Sequence, residues 1–137
     1  MSVVLDASMT IAWLFQDERT AATEAALRRV VADGAVVPSL WRLEVANILR
    51  NAVRRHRCDN AYVDRSLQRL RRLAIQTDNE TDDRAWGTTL GLASEQDLTV
   101  YDAAYLELAI RTNSPLACCD GPLLAAAARR HVEILAA

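Results

Sequence analysis

The chain has 137 residues, 51% hydrophobic and 25% charged, with a net charge of -2. That is enough for one domain, expected over residues 1–137, to bury a sizeable core, and it separates the protein from disordered chains. All 16 basic residues are arginine, which excludes any mechanism that needs a lysine nucleophile or a P-loop lysine.

In chain order, short β-branched or apolar runs predict strands over 3–5, 35–37, 73–76, 116–119 and 132–135. Stretches of helical composition between them predict helices over 9–15, 20–32, 39–57, 60–72, 82–95, 101–111 and 122–130, with Pro38, Gly121 and Pro122 as punctuation. This alternation implies an α/β fold, a mostly parallel sheet with helices on both faces that places ligands at the carboxyl ends of the strands. Nothing repeats internally. The opening MSVVLDAS has no basic leader, and no apolar stretch nears the roughly 20 residues that span a bilayer. A cytoplasmic protein with no membrane partner is expected. Cys118 and Cys119, adjacent in an apolar run, and Cys58, alone, give neither a disulfide framework nor zinc-ligand spacing, and reduced, buried thiols are expected.

Four acids stand out, in the settings VVLDAS, PSLWRLEVAN, TVYDAAYLELA and LACCDGPL. Asp6 and Asp120 fall at strand ends, Asp102 in the first turn of its helix after Thr99, and Glu44 about one turn into a helix on the row of Leu40 and Ile48. Each has a plainer reading taken alone. Asp6 and Ser8 make an ordinary strand-to-helix turn, Asp102 complements a helix dipole, and Asp120 caps a helix that has Pro near its first position. Glu44 lies in an apolar helix and calls for a compensating charge, for which Arg42 and Arg50 are the candidates. Taken together, four carboxylates aimed at one point require a cation, because two like charges about 4 Å apart repel by roughly 4 kcal/mol at an effective dielectric near 20. Asp17, Glu18, Asp33, Asp78, Glu80, Asp82 and Asp83 lie in polar runs and are expected in solvent.

With these residues the chain resembles the PIN-domain ribonucleases and, among them, the VapC toxins of type II toxin–antitoxin pairs. The resemblance spans the chain and is carried by VVLDAS, PSLWRLEVANIL, LTVYDAAYLELA and LACCDGPLLAAAARR. It implies a three-layer α/β/α sandwich around a five-stranded sheet, a Mg²⁺ or Mn²⁺ site on Asp6, Glu44, Asp102 and Asp120 as metal-binding and catalytic residues, RNA cleavage, homodimerisation, and a small VapB-like antitoxin. It also places supporting roles on Ser8 and on Asn47, one turn after Glu44. At Cys118 the family commonly has Thr or Ser, so this chain offers a weaker hydrogen-bond partner behind the last acid. No further acid follows Asp120, since Gly121 and Pro122 come next.

Metal-activated hydrolysis implies products with 5′-phosphate and 3′-hydroxyl ends. The two histidines do not supply an alternative acid and base, because His56 lies between Arg55 and Arg57, and His131 follows Arg130, away from the acidic motifs. Half of the arginines fall between positions 50 and 72, and Arg50, Arg54, Arg65, Arg69 and Arg72 are candidates to hold RNA phosphates, with a solvated face or intersubunit salt bridges as the plainer reading. Trp13, Trp41 and Trp86 sit in apolar patterns and are expected in the core, and the apolar helix around positions 41–53 is a candidate dimer surface. A haloacid-dehalogenase-type phosphatase is excluded by Ser8 in place of its second Asp and by the missing lysine. The remaining alternatives are a related metal-dependent DNA nuclease and a non-catalytic module that binds RNA or protein.

Overall fold

The computed structural model describes residues 1–136. The run Val3–Leu5 forms β1, and none of its residues is exposed. A strand covered on both faces reads as a continuous apolar run rather than an alternation. β2 (Ala35–Val37) and β4 (Leu116–Cys118) flank β1, with Val4 opposite Val36 on one side and Leu116 on the other. β3 (Ile75–Thr77) and β5 (Ile134–Ala136) form the edges, so the order is β3-β2-β1-β4-β5 with every pairing parallel. At the β3 edge Ile75 is half-buried while Gln76 and Thr77 face solvent.

Parallel strands require crossovers, and these are helical: α1 (Ala7–Leu14) and α2 (Ala21–Asp33) after β1, α3 (Trp41–Arg54) and α4 (Asn60–Arg71) after β2, α5 (Thr81–Arg84), α6 (Leu90–Gln96) and α7 (Val100–Thr112) after β3, and α8 (Gly121–Arg129) after β4. Right-handed crossovers put α1 to α4 on one face of this order and α5 to α8 on the other, which gives the expected α/β/α sandwich. Asp6, Thr20, Asp59, Thr99 and Asp120 cap α1, α2, α4, α7 and α8, each accepting the backbone N–H three residues on. Such a cap contributes about 1 kcal/mol. Gly34 turns the chain from α2 into β2 at φ 76°, where a Cβ would also stand 3.2 Å from the Ala74 carbonyl oxygen.

Several expectations need correction. The helix expected over 39–57 is α3 and closes at Arg54, because His56 takes φ 59° and turns the chain away. Arg57 then folds back over the Phe15 ring at 3.8 Å and pairs with Asp17 and Glu18. The helix expected over 82–95 is broken by a π-helical turn, Ala85–Thr89, in which a glycine and two β-branched threonines disfavour regular α geometry. This turn re-phases the side chains, so Thr89 is buried and Trp86 is 92% exposed, while Trp13 and Trp41 are in the core as expected. Asp78 is not solvated. Its side chain is 8% exposed and is held at 2.7 Å by Arg111, which also binds Glu107 at 2.8 Å and Glu80 at 3.2 Å and so ties α7 to the segment after β3. Burial pushes the Asp78 carboxyl up, but its bonds to Arg111 outweigh that and hold it below the usual range.

Candidate functional site

The β1 and β4 ends are the topological switch point of the sheet, since the crossovers from them run to opposite sides. Asp6 leaves β1 there as the cap of α1. It is 4% exposed and accepts hydrogen bonds from the Met9 backbone N–H at 3.0 Å and from the Ser8 hydroxyl at 2.8 and 2.9 Å to its two oxygens. Ser8 Oγ also accepts the Cys119 N–H at 2.9 Å, so one hydroxyl joins the turn after β1 to the end of β4. Behind Asp6, the Thr10 hydroxyl donates to the Asp6 carbonyl at 2.9 Å and accepts the Trp41 indole N–H at 3.1 Å, which seats the start of α3.

Asp120 leaves β4 as the cap of α8, bonded to the Leu123 N–H at 3.1 Å. Its own N–H donates to Cys118 Sγ at 3.1 Å. Cys118 is fully buried, and burial together with the nearby Asp6 charge pushes its thiol well up. No disulfide joins the three cysteines, and of the thiols expected to be buried only Cys118 is, Cys58 and Cys119 being half-buried. Asp102 sits in the first turn of α7, where its N–H is capped by Thr99 at 3.1 Å. Glu44 projects from α3 and accepts a hydrogen bond from the Tyr105 hydroxyl of α7.

Electrostatics bring these acids into one group. Asp6 is pushed up to about 6, by burial first, against the Met9, Ser8 and Cys118 hydrogen bonds, with the Asp102 charge adding to the rise. Asp102 is raised by burial and then by the charges of Asp120 and Glu44, and Glu44 is raised by burial against the Tyr105 bond. Asp102 thus links the group, feeling Asp120 and Glu44 and acting on Asp6. Among the described residues no three Asp, Glu, His or Cys side chains form a ready-made metal cage. The chemistry of the donor set nevertheless fits a hard divalent cation: the group is all oxygen, and the burial and carboxylate repulsion that raise Asp6 and Asp102 are what a bound cation relieves.

Of the supporting residues, Ser8 and Cys118 lie against the acids, whereas Asn47 is exposed and makes none of the hydrogen bonds described for the site. Neither Arg42 nor Arg50 compensates Glu44: Arg42 donates to Thr77 Oγ1 at 2.5 Å, and Arg50 is exposed. Tyr105 does so instead, and the sequence reading missed it. The available signal was its i+3 spacing from Asp102 in YDAAYLELA, which stacks both on one side of a helix. The candidate phosphate-binding residues Arg50, Arg54, Arg65, Arg69 and Arg72 are all exposed, and none pairs with a carboxylate among the described residues. Arg65 stands over the Tyr62 ring at 5.9 Å. Arg69 and Arg72 border a groove of about 250 Å³ floored by Trp13, Leu14, Leu27 and Leu70. His56 and His131 are exposed.

No curated protein sequence matches this chain. Among solved structures it resembles the crystal structure of PAE2754 from Pyrobaculum aerophilum, with a TM-score of 0.67 and 24% identity over 92% of this chain and 84% of that one. At that identity the likeness speaks to the fold. The family model described as PIN domain matches residues 3–130. That match takes in Asp6, Glu44, Asp102 and Asp120, and so this chain belongs to the PIN-domain family, whose members are typically metal-dependent nucleases.

Proposed function

We propose that the protein is a metal-dependent endoribonuclease, the VapC-type toxin of a toxin–antitoxin pair, and that Asp6, Glu44, Asp102 and Asp120 hold its Mg²⁺ or Mn²⁺ and form the catalytic site. The observation that carries the reading is the grouping of these four carboxylates near the β1 and β4 ends, with Asp6, Glu44 and Asp102 raised by burial, Asp6 also by the charge of Asp102, and Asp102 by those of Asp120 and Glu44. When bound, the divalent cation supplies an activated water and neutralises charge on the phosphodiester. The protein's own part is orientation. Ser8 and the Met9 N–H fix the Asp6 carboxylate, the α8 N-terminus fixes Asp120, and Thr99 fixes the turn that carries Asp102.

Arg50, Arg54 and Arg65, free of internal carboxylates, are the groups offered to RNA phosphates, and arginine suits that task by its planar fork of donors. Arg69 and Arg72 beside an apolar groove suit a partner segment that alternates apolar and acidic residues, which fits a small VapB-like antitoxin. A homodimer accords with the family resemblance, although Trp41, Val45, Leu49 and Ala52 of the helix expected to form its surface are buried in the chain's own core and leave Leu43 exposed there. Among the described residues no helix is long and apolar enough to cross a membrane.

The test is incubation of antitoxin-free protein with end-labelled RNA and, in parallel, DNA of the same sequence, under Mg²⁺, Mn²⁺ or EDTA. Cleavage of RNA to 5′-phosphate ends, absent in EDTA and in Asp6→Asn and Asp102→Asn, is the expected outcome. Cleavage of DNA instead assigns a DNA nuclease, and cutting that survives EDTA or either substitution overturns the acidic site. A wild type that binds RNA and leaves it intact with either metal assigns a binding module.

A further inference from the structure

Asp6 and Asp120 are held by backbone N–H groups of the helices they cap. Glu44 has no such support, because it lies inside α3, where its own N–H is bonded to the Leu40 carbonyl. Its carboxylate is half-buried and hangs on a long side chain that loses rotamer freedom when held in one place. The hydrogen bond that the described residues give it comes from Tyr105 on α7. Tyr105 is 1% exposed, and a buried phenol is costly unless its hydroxyl is partnered, so a phenylalanine would suit this position better if packing were all it served. The same α7 carries Asp102 one turn earlier.

Resting on the cation site proposed above, we propose that Tyr105 is a positioning residue that holds Glu44 in the acidic cluster, binding one carboxylate oxygen and leaving the other for the cation or a water on it. Tyr105 touches neither the substrate nor the reacting atoms in this account; it acts through Glu44. A phenol is protonated at neutral pH, and here its hydroxyl donates to the Glu44 carboxylate. One Glu44 oxygen engaged and one free further implies that Glu44 is a one-oxygen contact rather than a chelating one.

The test is Mn²⁺ affinity, measured by the electron paramagnetic resonance signal of free Mn²⁺, in the full-length wild type, Tyr105→Phe, Glu44→Ala and the double variant. Phenylalanine keeps the packed ring, and a thermal melt checks the fold of each protein. Loss of an outer partner of this kind weakens metal binding by about tenfold, the result expected for Tyr105→Phe. In the Glu44→Ala background the same substitution is expected to change affinity by less than about twofold, because a residue acting through Glu44 has nothing left to act on. Equal weakening in both backgrounds means a general structural role and overturns the proposal, as does wild-type affinity in a folded Tyr105→Phe protein. A wild type that binds no Mn²⁺ removes the cation site itself and this inference with it, whereas a binding wild type with an indifferent Tyr105 removes the inference alone.

Discussion

Burial of the Asp6 carboxylate carries a cost that substitution there releases. Asp6 is pushed up to about 6 from the 3.8 of a free carboxyl, chiefly by burial. A carboxyl raised in the folded state contributes stability that is full below the unfolded value and is lost as pH rises through the folded one. For a shift from 3.8 to about 6 the loss is about 1 kcal/mol at pH 4.5 and about 3 kcal/mol at pH 7.5, taking 1.36 kcal/mol per pH unit. Asp6→Asn removes the charge and keeps an oxygen that accepts from the Met9 N–H and Ser8. In EDTA, the variant is therefore expected to gain on the wild type by about 2 kcal/mol between pH 4.5 and 7.5. Urea denaturation at the two pH values, read by tryptophan fluorescence, measures it. A difference that stays flat or narrows with pH would refute the picture of a carboxylate strained by burial and by Asp102.

Other expectations follow from the same geometry. Arg111→Met strands Asp78 and Glu107 as buried, unpaired carboxylates and lowers stability by about 3–5 kcal/mol, measurable by the same denaturation. Cys118→Ser puts a stronger hydrogen-bonding group beside Asp6 and Asp120 and is expected to tighten Mn²⁺ binding, read by titration calorimetry; looser binding would mean that the thiol is itself favoured there. Arg50→Glu combined with Arg54→Glu is expected to weaken RNA binding and to flatten its dependence on salt, with Mn²⁺ affinity unchanged. Competition between RNA and salt in a filter-binding assay checks that, and a salt slope equal to the wild type's would move the RNA path elsewhere.

Much of this arrangement was legible because local chemistry and global fold agree at the strand ends. A short apolar run stopped by Asp or by Asp-Gly-Pro marks both a strand terminus and a helix cap, and Asp6 and Asp120 are indeed caps. Thr99 three residues before Asp102 signals the α7 start in the same way. Contacts between distant segments carried no such mark. Nothing around Asp78 distinguishes it from the solvated acids beside it, because its partner Arg111 lies 33 positions on. Tyr105 reads as one more aromatic in an apolar helix until the fold brings its hydroxyl to Glu44, 61 positions away in sequence. Trp86 was misplaced because the π-helical turn shifts its phase, and hydrophobic periodicity assumes an unbroken helix.

If four carboxylates act on one divalent cation, Mn²⁺ binding across Asp6→Asn, Glu44→Gln, Asp102→Asn and Asp120→Asn beside the wild type, each protein checked for folding, shows it most directly. Saturable binding by the wild type, weakened in all four variants and most at Asp102, whose environment contains the charges of both Asp120 and Glu44, is expected. Saturable binding that survives all four substitutions, or no binding by the folded wild type, would contradict it.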